Sequence, residues 1–462
     1  MEKVEIGKRR WLFLPVETIA RELTAKTLLA CAIAERGWGV IVGEKKVVRG
    51  KQEKLPRGTF IEKSISPGRI ADIEKAHAAG NRVSAWCEEG LVYINRDEYG
   101  QRRLEPQSFQ AIDYFFAWGR QQAEDITAIL GPSDKIILSG NPRFDLLRPE
   151  LRNIFAPSAQ KIKEKFGKII LINTKFSDVN NNRDIPDFDF VSYLCSAGKI
   201  RTKEVESLMR RYIGFNRKIF QLFQELVPVL SRKYSEHTII VRPHPSESHA
   251  PWLELSRDLP NVQVIFEGNV NEWLMAADIM IHNNCTTGIE AFLLDRPSIS
   301  YRPLQDPVVE HELPNEVSLQ AFSLEELLAL VSRFAEEGDS ILPEEREKQK
   351  RYAQQYIANI DGNLACDTIG DYLDRLDLPE AAAVYPLDKE NAVTFKDLKR
   401  KMKRLLGISR KSDTSRYYKQ KFPGITLEEM QSLKDKLSEA SGRFADIRIA
   451  PVEDNTFCFY RP

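Results

Sequence analysis

"TIIVRPHPSES", residues 238–248, is the stretch that decides the fold. Thr238-Ile239-Ile240-Val241 is a short, β-branched apolar run of the kind that forms a fully buried strand. Pro243, Pro245 and Ser246 close that strand at its C-terminal end and hold His244 rigidly between two prolines. In an open α/β sheet, loops at the C-terminal ends of strands are where ligands bind. Whether His244 faces a ligand or only satisfies a turn depends on whether the chain around it alternates strand and helix.

It does so twice. Trp11–Leu14 reads as a strand, followed by helical spacing of Ile19, Leu23, Ala30 and Ile33 up to Gly37. Val40–Val42, Thr59–Ile61, Val83–Trp86, Tyr114–Trp118 and Ile136–Leu138 continue the strands, and Gly140-Asn141-Pro142-Arg143 makes a turn. Pro149 to Lys165 is polar and interrupted, as expected of a hinge. The rhythm restarts with Lys168–Ile172, a long helix over about 205–234, and strands at 238–241, 262–266, 279–282 and 297–301. This pattern predicts an α/β fold of two Rossmann-like domains facing a cleft. The expected divisions are 1–150 and 165–375, the N- and C-terminal Rossmann-like domains, and 376–462, a basic helical extension.

In that extension, eleven Lys/Arg against two Asp lie between 396 and 421, with Leu398, Met402, Leu405 and Leu406 at helical spacing. A solvated basic helix and a peripheral contact with anionic membrane or a charged glycan carrier both fit. Over the whole chain Lys+Arg and Asp+Glu balance at 67 each, so no global field selects nucleic acid. The first ten residues lack the apolar core of a signal peptide, and the longest apolar run, Leu28–Ala34, is too short to span a bilayer. Six cysteines without CxxC spacing make zinc and disulfide frameworks unexpected and point to a cytoplasmic setting. The DxD at Asp187-Phe188-Asp189 lies in a loop-like segment, and no metal site is expected there.

Three stretches after predicted strands carry candidate chemistry. In AWCEEGLVY, Glu88 and Glu89 precede Gly90; a strand-end acid pushed into a cleft can have its pKa tuned for acid–base work, and a solvated surface turn is the plain alternative. In RPHPSES, His244 can donate to a phosphate. In HNNCTTGIEAFLLDRPSISYRP, residues 282–303, Thr286, Thr287 and Gly288 open a helix, where free N–H groups and hydroxyls suit an anion; Thr286 as a simple N-cap is compatible with this.

Together, the acidic pair with its glycine, the His-Pro 155 residues after Glu89 and the paired hydroxyls 42 residues beyond His244 resemble bacterial GT-B glycosyltransferases that use CMP-sugars. The run from Glu267 to Pro303 and GNPRFDLL at 140–147 resemble surface-carbohydrate proteins related to the Kdo transferases. The resemblance covers most of residues 10–370 and excludes the tail. It implies transfer of Kdo or another nonulosonate from a CMP-sugar to a glycan or lipid-linked acceptor, without metal or other cofactor, with 1–150 on the acceptor side and 165–375 binding the nucleotide; a cytoplasmic setting, with the 396–421 run as a candidate peripheral contact at the inner face of the membrane, is compatible with it. It also implies Glu89 as the catalytic carboxylate, base or nucleophile, with Glu88 beside it. His244, with Pro245, would receive the CMP phosphate together with Thr286, Thr287 and Gly288, and Glu267-Gly268-Asn269 would lie near the cytosine. Lys175, after the first strand of the second domain, is a further candidate for the donor carboxylate or simply a surface lysine. The chain departs from the pattern in having Glu-Glu where Asp is common and threonines where serines are usual.

Other readings share these features. A CDP-alditol phosphotransferase of the teichoic-acid type also carries a His-Pro and a hydroxyl pair, although Asn283-Asn284-Cys285 replaces its usual Asp-Tyr. A UDP-sugar transferase or epimerase of GT-B fold and a non-catalytic sugar-nucleotide-binding subunit complete the set.

Overall fold

The computed structural model describes residues 3–181, 189–338, 340–386 and 421–462. In the N-terminal half, β1 (Lys3–Arg9) is followed by β2 (Trp11–Val16), β3 (Gly39–Glu44), β4 (Thr59–Glu62), β5 (Arg82–Ala85), β6 (Phe115–Ala117) and β7 (Ile136–Leu138). Every residue of β2 is buried, as its unbroken apolar sequence requires of a central parallel strand. β3 and β4 pair with β2 on opposite sides, and β5, β6 and β7 extend the sheet, all in parallel. Strand order therefore reverses at β2, which places a crevice between the C-terminal ends of β2 and β4.

The C-terminal half contains β8 (Ile169–Asn173), β9 (Thr238–Arg242), β10 (Val262–Val264), β11 (Ile279–His282), β12 (Ser298–Tyr301) and β13 (Leu319–Ala321). They form one parallel sheet in the order β10-β9-β8-β11-β12-β13. This is the Rossmann order, with its switch point between β8 and β11. Two such sheets in one chain give the GT-B-like α/β architecture that the strand rhythm predicts. The long helix spans Lys203–Lys233 and buries one face on this sheet through Ile219, Phe223, Leu226 and Leu230.

Two expectations change. The 149–165 stretch contains a short 3-10 turn, Arg152–Phe155, and a helix, Ala156–Phe166, which packs against the helix Val270–Ala276. Its polar residues form the outer face of a helix, so it is not an irregular hinge. The tail is also more than a helical extension. β14 (Ala381–Pro386) pairs with β1, and the hairpin of β15 (Arg448–Glu453) and β16 (Thr456–Tyr460) joins the N-terminal sheet, β16 running antiparallel to β3. TFCFY supplies a strand buried on both faces, Phe457 and Phe459 on one side and Cys458 on the other, that covers the β3 edge of the sheet. Residues 396–420 of the basic run lie outside the described residues.

Helix Ile19–Glu35 explains the Leu28–Ala34 run. It packs against β2 and β3, the helix Ala365–Leu373 and the tail helix Leu427–Ser441, so it is apolar nearly all round. Among the described residues no helix is long and apolar enough to cross a membrane. Phe459, fully buried and paired with Val40, ties the tail to this core. Phe459→Ala should cost about 3–5 kcal/mol, read as a lower urea midpoint of unfolding monitored by Trp fluorescence.

Candidate functional site

His244 owes its position to a buried carboxylate in its own loop. Glu247 accepts hydrogen bonds from the backbone N–H of His244 (3.1 Å) and Phe176 (2.8 Å), the Thr174 hydroxyl (2.8 Å) and the Trp252 indole (3.4 Å). It thereby fastens the loop after β9 to the loop after β8. Burial raises its pKa to about 7, while these four donors pull the other way. Nothing in the alternation of strand and helix marks Glu247; only its place in RPHPSES hints at it.

The imidazole of His244 accepts the backbone N–H of Ser246 at Nδ1 (3.2 Å), which leaves the ring proton on Nε2. Burial, then the positive charge of Arg21, lowers its pKa to about 4; Glu89 opposes this and Lys175 adds to it. His244 is therefore neutral at pH 7 and acts as an N–H donor. Solvent reaches both His244 and Glu89, yet burial is the largest influence on each, so they line a recess. Arg21 and Glu89 belong to the N-terminal half, and their action on His244 brings the two halves together at this point.

The two glutamates have separate environments. Glu89 is gripped by Arg21 (3.2 Å) and Arg103 (2.5 Å), and against the opposing effect of burial these arginines hold it well below the usual carboxylate range. Glu88 is buried, accepts the Trp86 indole N–H (2.9 Å) and faces Lys26 at 3.9 Å, leaving Oε2 without a partner. Lys26 also bonds Glu22 (2.7 Å) and the carbonyl of Pro15 (2.6 Å). Arginines, then, set the state of Glu89, and like charge between the pair does not. Gly90 needs no unusual φ; its missing Cβ makes room for Gln122 and Cys87.

Across the cleft, Lys175 lies at the switch point between β8 and β11. Its ammonium donates to the carbonyl of Asn284 (3.1 Å) and to Nδ1 of His311 (2.8 Å), so it is half-buried and is no loose surface lysine. Asn284 takes a left-handed φ of 47°, which asparagine tolerates. Thr286 precedes the helix Thr287–Leu293 but makes no side-chain cap, and Thr287 Oγ1 is buried without a hydrogen bond. Gly288 packs against His282, where a Cβ would fall 2.6 Å from Nε2. The carbonyls of Glu267 and Gly268 are held by Arg242 (2.6 and 3.2 Å), whose guanidinium lies over Trp273. Pro245 is exposed beside His244. Asp189 caps the helix Phe190–Ser196 through Val191 and Ser192, while Asp187 and Phe188 lie outside the described residues.

The fold thus brings Glu89, His244 and Lys175 to one cleft and adds Arg21 and Arg103, which no short motif announces, together with Arg242 and Glu247 of the RPHPSES stretch. No protein-family model and no curated protein matches the chain. Solved structures align with it at low identity. A UDP-GlcNAc 2-epimerase from Neisseria meningitidis bound to UDP-GlcNAc is 14% identical, with a TM-score of 0.47, covering 80% of this chain and 100% of that one. The epimerase from Methanocaldococcus jannaschii is also 14% identical, with a TM-score of 0.47 and 79% and 99% coverage. A variant of the wall teichoic acid polymerase TagF is 12% identical, with a TM-score of 0.46 and 79% and 88% coverage. Likenesses of this size assign no residue and no reaction.

Glu247→Gln turns an amide group toward donors and should lower stability by about 1–3 kcal/mol, measured by urea unfolding. Because folded His244 resists protonation, the unfolded chain takes up that proton first as the pH falls below 6.5. Its contribution to stability should be level above pH 6.5 and decline toward pH 4. The stability difference between wild type and His244→Asn, compared at pH 7 and pH 4.5, should shrink at the lower pH.

Proposed function

We propose that this chain is a GT-B-type enzyme that uses a nucleotide-activated donor, either a CDP-alditol or a UDP-sugar, to build a bacterial surface glycan. What supports this reading is the placement of Arg21 and Glu89, which are paired with one another in one half (3.2 Å), close enough to His244 in the other for their charges to act on it. In this reading the donor phosphate lies on the C-terminal side, taking the Nε2–H of His244, the Thr286 hydroxyl and the charge of Lys175, while the buried Thr287 hydroxyl stays behind the helix start. Arrival of the phosphate adds negative charge beside His244 and raises its pKa, which lets the ring give a proton to the departing nucleotide. Glu89, ionised throughout by its two arginines, is suited to stabilising positive charge or to attacking as a carboxylate. It is poorly suited to act as a general base, whose pKa should lie near the working pH.

A CMP-nonulosonate donor such as CMP-Kdo is the second reading. One imidazole and the Thr286 hydroxyl suit a single phosphate, and the ionised Glu89 matches a nucleophile in a retaining transfer. Purified protein incubated separately with CDP-glycerol, a UDP-sugar, CMP-Kdo and another CMP-nonulosonate separates the two by CMP or UDP release. Release from CDP-glycerol or the UDP-sugar supports the first; release from the CMP-sugars alone overturns it in favour of the second. Saturable nucleotide binding without turnover of any donor would leave a binding subunit.

With the active donor, Glu89→Gln should abolish transfer while nucleotide affinity, followed by calorimetry, stays near wild type. His244→Ala should lower turnover by about 10²–10⁴-fold and also weaken nucleotide binding.

A further inference from the structure

Three loops at the C-terminal edge of the second sheet are tied together by a closed cycle of hydrogen bonds. Lys175, after β8, donates from its ammonium to the carbonyl of Asn284 (3.1 Å) and to Nδ1 of His311 (2.8 Å). Asn284, after β11, accepts the backbone N–H of His311 at Oδ1 (3.2 Å), so one residue at a left-handed φ of 47° serves both partners. His311, after β12, completes the cycle. Its loop is pinned by Arg302, which pairs twice with Glu310 (2.7 and 2.8 Å), while Glu310 also accepts the backbone N–H of Asp306 (2.9 Å). The imidazole is buried and stacks on Tyr212, of the helix Lys203–Lys233, at 5.9 Å.

An ammonium has no lone pair, so Nδ1 of His311 is the acceptor and the imidazole is neutral. Burial first, then the charges of Lys175 and Arg102, hold its pKa well below the ordinary histidine value, opposed only by the Asn284 backbone. Both hydrogen-bond partners of Lys175 are therefore neutral. The carboxylates that act on it, Asp178 and Glu98, have partners of their own in Asn216 (2.7 Å) and Arg102. Two neutral acceptors fix an ammonium in place without taking its charge, and that charge reaches His244 in the neighbouring loop.

We infer that His311 is a positioning residue of the cleft: its imidazole seats the Lys175 ammonium at the switch point between β8 and β11, where that charge meets the anionic group of a bound ligand. The inference deepens the proposed function and rests on it for the ligand, a nucleotide phosphate. The seating of Lys175 rests on the hydrogen bonds themselves.

Two substitutions separate the acceptor from the aromatic ring. His311→Phe keeps a ring against Tyr212 and removes the acceptor; His311→Asn removes the ring and can place an oxygen where Nδ1 stood. Binding of CDP and UDP would be measured by calorimetry, and acylation of Lys175 by acetic anhydride would be followed by peptide mass spectrometry. His311→Phe should weaken nucleotide binding roughly tenfold. It should also speed Lys175 acylation several-fold, because loss of an acceptor favours the free amine. His311→Asn should recover most of the affinity and the slow acylation. His311→Ala, which lacks both features, should match His311→Phe and stands in for it if that variant does not fold. The double variant Lys175→Met, His311→Phe should bind no more weakly than Lys175→Met alone. A role in packing only predicts the reverse order, with His311→Asn the weaker of the two, and additive losses in the double variant; either result overturns the inference. If wild type binds neither nucleotide, the donor reading falls and acylation decides the seating alone: a faster rate in His311→Phe supports it, and an equal rate overturns it.

Discussion

Parallel pairing is the constraint from which the site follows. In each half the main strands run the same way, so the loops at their C-terminal ends are gathered on one edge of the sheet. Chain reversals at β2 and at β8 open a crevice in each edge. Polar residues far apart in sequence, such as Glu89 and His244, then meet without any local pattern linking them. Burial at these edges is incomplete, which leaves charged side chains reachable and still strongly influenced by one another.

Buried carboxylates set the geometry. Glu247 collects donors from two loops and so determines the orientation of His244. Asp145 does similar work between the halves: it accepts from the backbone N–H of Ala365 (2.8 Å) and Cys366 (2.9 Å) and from Asn359, fixing the start of the helix that crosses back to the N-terminal half. Arg143 adds an ion pair to Glu290 (2.7 Å), in the helix that follows the paired threonines. Each of these groups would be costly to bury alone, and each is satisfied by several donors or a partner.

The charges across the cleft are unequal in kind. On the N-terminal side Glu89 is locked as an anion by two arginines; on the C-terminal side His244 is kept neutral by burial and nearby cations. Lys175 has its charge met by a carbonyl and an imidazole. Such a cleft favours an anionic ligand that brings its own charge, and binding would change the protonation of His244 more than that of Glu89.

Much of the fold was legible along the chain because buried parallel strands need unbroken apolar runs such as Trp11–Leu14 and Thr238–Val241. That His244, Glu89 and the threonines fall just after strands was legible because turn residues mark where those strands end. The sequence alone therefore determined two α/β units and which loops lie at the C-terminal edges of their sheets, since periodicity is a local property. Tertiary structure decided that the tail completes the first sheet, that Arg21 and Arg103 clamp Glu89, and that Glu247 and not the prolines alone seats His244. Those outcomes depend on Coulomb and hydrogen-bond partners brought together from distant segments, and no spacing rule encodes such meetings.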